Sequence, residues 1–235
     1  PLRRQRQMCI RDRAKVIPAQ HEASFDSPSA FRTAFARLMG CAPGALRSEA
    51  LLQATWIPTP LGDMIAVSSP THLHLLEFID RKALPAELSR LRSAAPGGIG
   101  VGGAAPSDQA AAELEAYFAS RSAHFTVPLA LAASPFTRAV WQALREIPVG
   151  ETRSYSDIAR QIGRPTATRA VARANGANQI ALMIPCHRVI GADGSLTGYG
   201  GGLWRKQRLI EIERMLREEP SRPLHHGDTP FASAR

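Results

Sequence analysis

Cys186, His187 and Arg188 are consecutive, behind Pro185 and the short apolar run Ile180–Ile184. A cysteine thiol is a poor nucleophile until a neighbouring base or positive charge raises its thiolate fraction. Two readings are open: an inert buried cysteine beside a solvated histidine and arginine, or a nucleophile with base and cation alongside. Adjacent strand residues point to opposite faces, so Cys186 and His187 communicate only at a bend or through water. A cysteine hydrolase would want an oxyanion-hole motif such as Gly-x-Cys-x-Gly, and none surrounds Cys186. A second constellation is Arg169 and Arg173, four apart on a helix whose other face is Ala167, Ala170, Val171 and Ala174. With the preceding helix and the Gly163-Arg164-Pro165 turn, it is either a helix-turn-helix with arginines aimed at a groove or a plain helical hairpin. Metal and phosphate chemistry are not encoded. Cys9, Cys41 and Cys186 form no Cys-x-x-Cys pair, and His225-His226 has no clustered ligands. His72 and His74 read as surface or core polar residues, and no Gly-Lys-Ser/Thr follows Gly98–Gly103.

The elements carrying these residues must fit within 235 residues, one large domain or two small ones. A composition 44% hydrophobic and 21% charged is that of a globular chain. With 29 Lys+Arg against 20 Asp+Glu the net charge is +9, which suits a polyanionic partner and argues against a basic substrate. No apolar run approaches the ~18 residues of a membrane span. Met8-Cys9-Ile10 runs straight into Arg11, which leaves no room for a signal-peptide hydrophobic region. A reducing cytoplasm is expected.

Residues 1–22, starting PLRRQRQMCIRDR, are expected to be a non-native or disordered leader, and 218–235 a disordered tail. Ser27-Pro28 can open a helix with Phe31, Phe35 and Leu38 on one face, stopped by Gly40. Thr55–Ile57, Met64–Val67 and Leu73–Leu76 read as short strands. The Gly/Ala/Pro-rich stretch 93–107 reads as a flexible loop. A helix with Ala110, Leu114, Tyr117 and Phe118 on one face follows, then a strand at Phe125–Val127. From Ser134 helices dominate: Phe136, Val140, Leu144 and Ile147 line the first, and Ser154–Asp157 fits a capping box opening the second.

The segment Pro185-Cys186-His187-Arg188-Val189, followed by Gly198-Tyr199-Gly200-Gly201-Gly202-Leu203 and Arg205-Lys206, resembles the active-site signature of the O6-alkylguanine-DNA alkyltransferases. The likeness runs from about Thr55 to Met215 through Val140-Trp141, Ile147-Pro148, Gly150-Glu151-Thr152, Ser154-Tyr155, Asn175 and Asn178. It implies an α/β fold: a small ribonuclease-H-like subdomain over 50–133, then a helical domain over 134–217 with a winged-helix-like helix-turn-helix. It also implies suicide DNA repair without a cofactor, on double-stranded DNA carrying O6-methylguanine or O4-methylthymine, by a monomer. Cys186 would accept the methyl group, His187 would withdraw the thiol proton through a water, and Glu213 would orient His187. Asn178 would tie the active-site strand to the helix-turn-helix, and Tyr155 would bond the purine and neutralise the departing guanine. The backbones of Val189 and Gly200 would read the base, although some relatives carry serine where this chain has Gly200. Arg169 would fill the stack as the lesion swings out, with Arg173, Tyr199 and Lys206 contributing to the DNA and base contacts.

A second likeness covers 23–48. Phe25 through Arg32, then Phe35, Leu38, Gly40 and Pro43, resembles the last helix-turn-helix of AraC-type transcription regulators, which in adaptive-response proteins is fused upstream of an alkyltransferase. It implies a parent that also regulates genes. The competing readings are a non-enzymatic binder of alkylated DNA, which the presence of Cys186 opposes, and a sensor-only regulator. An isolated helix of about a dozen residues is marginal in water, so this one should dock on the transferase or fray. With the relay expected wholly between Tyr155 and Glu213, residues 1–48 are expected to be dispensable for repair.

Overall fold

The computed structural model describes residues 28–42, 46 and 50–218; the leader, the Ser27 cap and His225-His226 lie outside them. The fold is mixed α/β. Strands β1 (Leu52–Ile57), β2 (Met64–Ser68), β3 (Leu73–Phe78) and β4 (Ile99–Val101) form a sheet ordered β3-β2-β1-β4. The first three pair antiparallel, and β4 lies parallel to β1 with Leu52 opposite Ile99. The stretch 93–107 is therefore not one flexible loop. Ile99–Val101 gains a ladder from a distant strand, a pairing that local composition does not encode.

Every residue of β2 is buried, because both faces of the sheet are covered. Met64, Ala66, Leu73 and Leu76 face α3 (Ala105–Phe118) and the C-terminal helices. Ile65, Val67 and Leu75 face α1 (Pro28–Leu38) and α2 (Leu84–Ala94). Of the two outcomes expected for the N-terminal helix, docking is the one found: Phe31 and Phe35 are fully buried on the sheet. Gly40, at φ +63°, ends α1 in the left-handed conformation that glycine tolerates, with the Cys41 N–H returning to the Ala36 carbonyl. The helix α2 was not among the expected elements; it has no side-chain N-cap, but it carries proline in its first turn, Glu87 near its start and Arg92 near its end. The strand expected at Phe125–Val127 is absent; the chain meets β3 slightly later, as an isolated Leu73–Leu129 bridge.

The C-terminal part comprises α4 (Pro135–Arg145), β5 (Arg153–Ser154), α5 (Tyr155–Gln161), α6 (Thr168–Gly176), β6 (Val189–Ile190) and α7 (Leu203–Glu218). Ser134 caps α4 by accepting from the Thr137 N–H. The predicted box at Ser154 forms in full: its hydroxyl accepts from Asp157 N–H, and the Asp157 carboxylate accepts from Ser154 N–H at 2.8 Å. The Trp141 indole donates to the Ala174 carbonyl at 2.9 Å, fixing α6 on α4. Val171 and Ala174 face inward, which leaves Arg169 and Arg173 exposed.

Candidate active site

The apolar run ends in a tight turn at Ala181–Ile184, where Leu182 adopts φ +66° although it is not glycine. That conformation costs on the order of 1 kcal/mol and persists because Leu182 is buried and the flanking backbone is pinned. Asn178 does the pinning. Its amide donates to the Ile184 carbonyl at 2.8 Å and to Cys186 Sγ at 3.1 Å, while its Oδ1 accepts from Ile180 N–H at 2.9 Å.

Cys186–Arg188 then form one turn of 3₁₀ helix. The bend removes the strand alternation that would have set Cys186 and His187 on opposite faces, and all three side chains are buried. Burial pushes the Cys186 thiol up to about 11; the Asn178 hydrogen bond and the charges of Arg81 and Lys206 pull the other way, while Glu77 adds to the rise. The resting group is a thiol, so reaction demands a base.

His187 is next to it. Its Nε2 lies 2.8 Å from Glu213 Oε1, and its Nδ1 is buried without a hydrogen-bond partner. Burial opposes ionisation of Glu213, but the His187 and Arg188 charges and hydrogen bonds overcome it and hold the carboxyl well below the usual range. Arg188 clamps that carboxylate through Nε at 2.7 Å and Nη2 at 2.9 Å. The Tyr117 hydroxyl and the Gly150 N–H also donate to it. An ionised Glu213 selects the tautomer with the proton on Nε2, which leaves Nδ1 as a free acceptor. Arg188, Tyr117 and Gly150 were not among the expected site residues, and the hydrogen bonds that hold Glu213 reach outside 155–213, since Tyr117 comes from α3 and Gly150 precedes β5. Arg188 stood in the motif beside His187 and Gly150 in the upstream likeness, but nothing local tied Gly150 or Tyr117 to Glu213.

The other expected residues divide into two groups. Tyr155 opens α5, is half-buried, and donates to the Thr197 carbonyl at 3.4 Å. The Tyr199 ring stands edge-on to His187 at 6.5 Å, its hydroxyl buried without a hydrogen-bond partner. Val189 is buried in β6, and Gly200 is exposed on the Gly-rich loop. Lys206, grouped above with the DNA-contacting residues, is fully buried, and its ammonium donates to the Val189 and Thr197 carbonyls. It braces β6 against the loop, and burial brings it down to about 8. Arg169 and Arg173 belong to the exposed face of α6 beside an open groove lined by Thr166–Ala170. Among the described residues no group of three His, Cys, Asp or Glu side chains could hold a metal, and no helix is long and apolar enough to cross a membrane.

A buried thiol, a histidine–carboxylate pair with one free ring nitrogen, and an arginine-bearing helix at its edge define a cysteine-centred protein of mixed α/β fold. Residues 135–215 match the family described as 6-O-methylguanine DNA methyltransferase, DNA binding domain. The methylated-DNA–protein-cysteine methyltransferase of Mycolicibacterium paratuberculosis is 61% identical over 102 residues, which are 43% of this chain and 62% of the relative. That of Mycobacterium leprae is 44% identical over 156 residues, 66% of this chain and 88% of the relative. The crystal structure of Mycobacterium tuberculosis OGT in complex with DNA superposes with a TM-score of 0.60 at 40% identity, covering 70% of this chain and 93% of that one. The chain belongs to the methylated-DNA–protein-cysteine methyltransferase family.

Proposed function

We propose that the protein repairs DNA by moving a methyl group from O6 of guanine in a duplex to Cys186, once per chain. The observation that carries the reading is the Cys186 thiol held by Asn178 next to a histidine whose Nε2 is engaged by Glu213 and whose Nδ1 is free. His187 takes the thiol proton through a water at Nδ1, and Glu213 stabilises the imidazolium. Cys186 Sγ attacks the methyl carbon in line; the C–S bond forms as the C–O bond breaks, and Tyr155 supplies hydrogen bonding to the departing guanine. The thioether has no leaving group that water displaces readily, so turnover stops. O4-methylthymine offers the same kind of carbon electrophile.

The reaction centre is inaccessible inside a duplex, so the base must be extruded. The exposed Arg169 suits the role of filling the gap, and Arg173 that of meeting the backbone. The short α5, the turn at Gly163 and α6, flanked by the parallel pair β5–β6, support a winged helix-turn-helix reading. The sheet order with its parallel fourth strand supports a ribonuclease-H-like reading of the first subdomain. A monomer in the cytoplasm suffices for such chemistry. The AraC-type likeness of 23–48 supports a parent that also regulates genes, although here, among the described residues, α1 packs Phe31 and Phe35 on the sheet of the transferase without the paired helices that set such a module's docking geometry.

Intact mass after incubation with O6-methylguanine duplex tests the reading: a gain of ~14 Da, saturating at one per chain, is expected for covalent transfer to the thiol. Sustained turnover, or an unmodified chain, refutes it. Arg169→Ala should slow reaction with duplex at least about tenfold yet spare free O6-benzylguanine, which bypasses the few kcal/mol of unstacking. Equal losses on both substrates would assign Arg169 to the fold or pocket.

A further inference from the structure

The turn between β3 and α2 belongs to the first subdomain, yet two of its charged residues reach the Gly-rich loop, Asp80 through Arg205 and Arg81 by packing beside Gly200. Arg205 Nη1 bonds Asp80 at 2.7 Å and the Gly201 carbonyl at 2.9 Å, with its Nε on the Leu61 carbonyl. Arg81 is more deeply set, 7% exposed. Its Nη1 meets Glu77 at 2.7 Å and its Nη2 meets Glu87 at 2.8 Å, while Nη2 also donates to the Gly176 carbonyl, the last residue of α6. One guanidinium therefore joins the sheet, α2 and the end of the arginine-bearing helix.

It also occupies the space beside Gly200. A Cβ placed on Gly200 would stand 2.4 Å from Arg81 Nη1 and 2.9 Å from Cζ. A surface arginine would swing aside at little cost. This one cannot, because any such movement breaks bonds to two carboxylates that are themselves almost wholly buried. The backbone conformation of Gly200 is not what demands glycine, since its φ lies outside the left-handed region. The guanidinium does.

We propose that Arg81 is a positioning residue of the base pocket: clamped by Glu77 and Glu87, it fixes the Gly200 turn against the end of α6 and restricts position 200 to glycine. This rests on the methyl-transfer reading, which makes Gly200 part of the pocket wall. Displacing that wall by about 1 Å would cost on the order of 100-fold in rate, the usual penalty for misplacing a reacting group.

The test is a double-mutant cycle of Gly200→Ala with Arg81→Lys, which keeps the charge for Glu77 and Glu87 but lacks the planar fork beside Gly200. Arg81→Met in a Glu77→Gln, Glu87→Gln background is the second form, leaving no buried carboxylate unpaired. The readouts are the alkylation rate of Cys186 by free O6-benzylguanine and by O6-methylguanine duplex, split into binding and maximal rate, and the thermal midpoint of each variant. Gly200→Ala alone should lower the maximal rate by roughly 100-fold with both substrates, and a replacement at Arg81 should restore most of it. Equal losses with and without the Arg81 guanidinium, or full activity of Gly200→Ala, overturn the proposal. A parent chain that no substrate alkylates refutes the methyl-transfer reading instead. In that event the role assigned to Arg81 falls with it, while coupled thermal midpoints would still report the packing.

Discussion

Cys186→Ser is expected to abolish methyl transfer while leaving affinity for duplex DNA nearly unchanged. A serine hydroxyl holds its proton far more tightly than a thiol and is the poorer nucleophile at carbon. The site has no reserve to compensate, since burial already holds the native thiol at about 11, and its helpers only partly oppose that. A loss of at least roughly a thousandfold, about 4 kcal/mol of barrier, is the expected scale. Binding should survive because Arg169 and Arg173, proposed above to meet the DNA, lie on the exposed face of α6, whereas Cys186 is buried on the turn after it. Intact mass and a gel shift on the same preparation separate the two effects. A serine variant that still gains the methyl group would remove Cys186 as acceptor.

The chemistry was legible because its central residues are contiguous: Cys186, His187 and Arg188 form a signature in one stretch of chain. The capping box at Ser154 was legible for the same reason, since cap and partner are three residues apart. What escaped depends on partners far away in sequence. Glu213 takes bonds from Tyr117, 96 residues earlier, and from Gly150, 63 residues earlier. Arg81 touches the end of α6 across 95 residues. Neither relation leaves a local pattern. The β4 strand was hidden in a Gly/Ala/Pro-rich stretch, where composition argues for a loop and a distant ladder decides otherwise. Lys206, expected among the DNA and base contacts, is another case: its ammonium satisfies two backbone carbonyls inside the fold, a partnership that its place in the motif does not reveal.

Phe31→Ala is expected to destabilise the protein by about 3–5 kcal/mol, the range for removing a buried phenylalanine from a core. The sequence left open whether α1 docks or frays, and treated residues 1–48 as dispensable. The packing argues against dispensability. Phe31 is fully buried, its ring 5.0 Å from that of Trp56 on β1 and 5.5 Å from that of Phe35 on the next turn. Arg32 donates to the Leu46 carbonyl, and Arg92 of α2 donates to the Met39 carbonyl at 3.0 Å, so α2 holds the end of α1. Without this cover Ile65, Val67 and Leu75, which alternate with the residues facing the acceptor side, would meet water. The exposed Arg37→Ala is the control and should shift stability by no more than about 0.5 kcal/mol. Urea unfolding reads both. If α1 were a frayed remnant of another module, the two substitutions would be equally silent. If it is part of the transferase, the Phe31 variant will lose much of the stability of an ordinary domain, which is only about 5–15 kcal/mol in all. Cys186 would then stop accepting methyl groups at a lower temperature, although no residue of the relay has been touched.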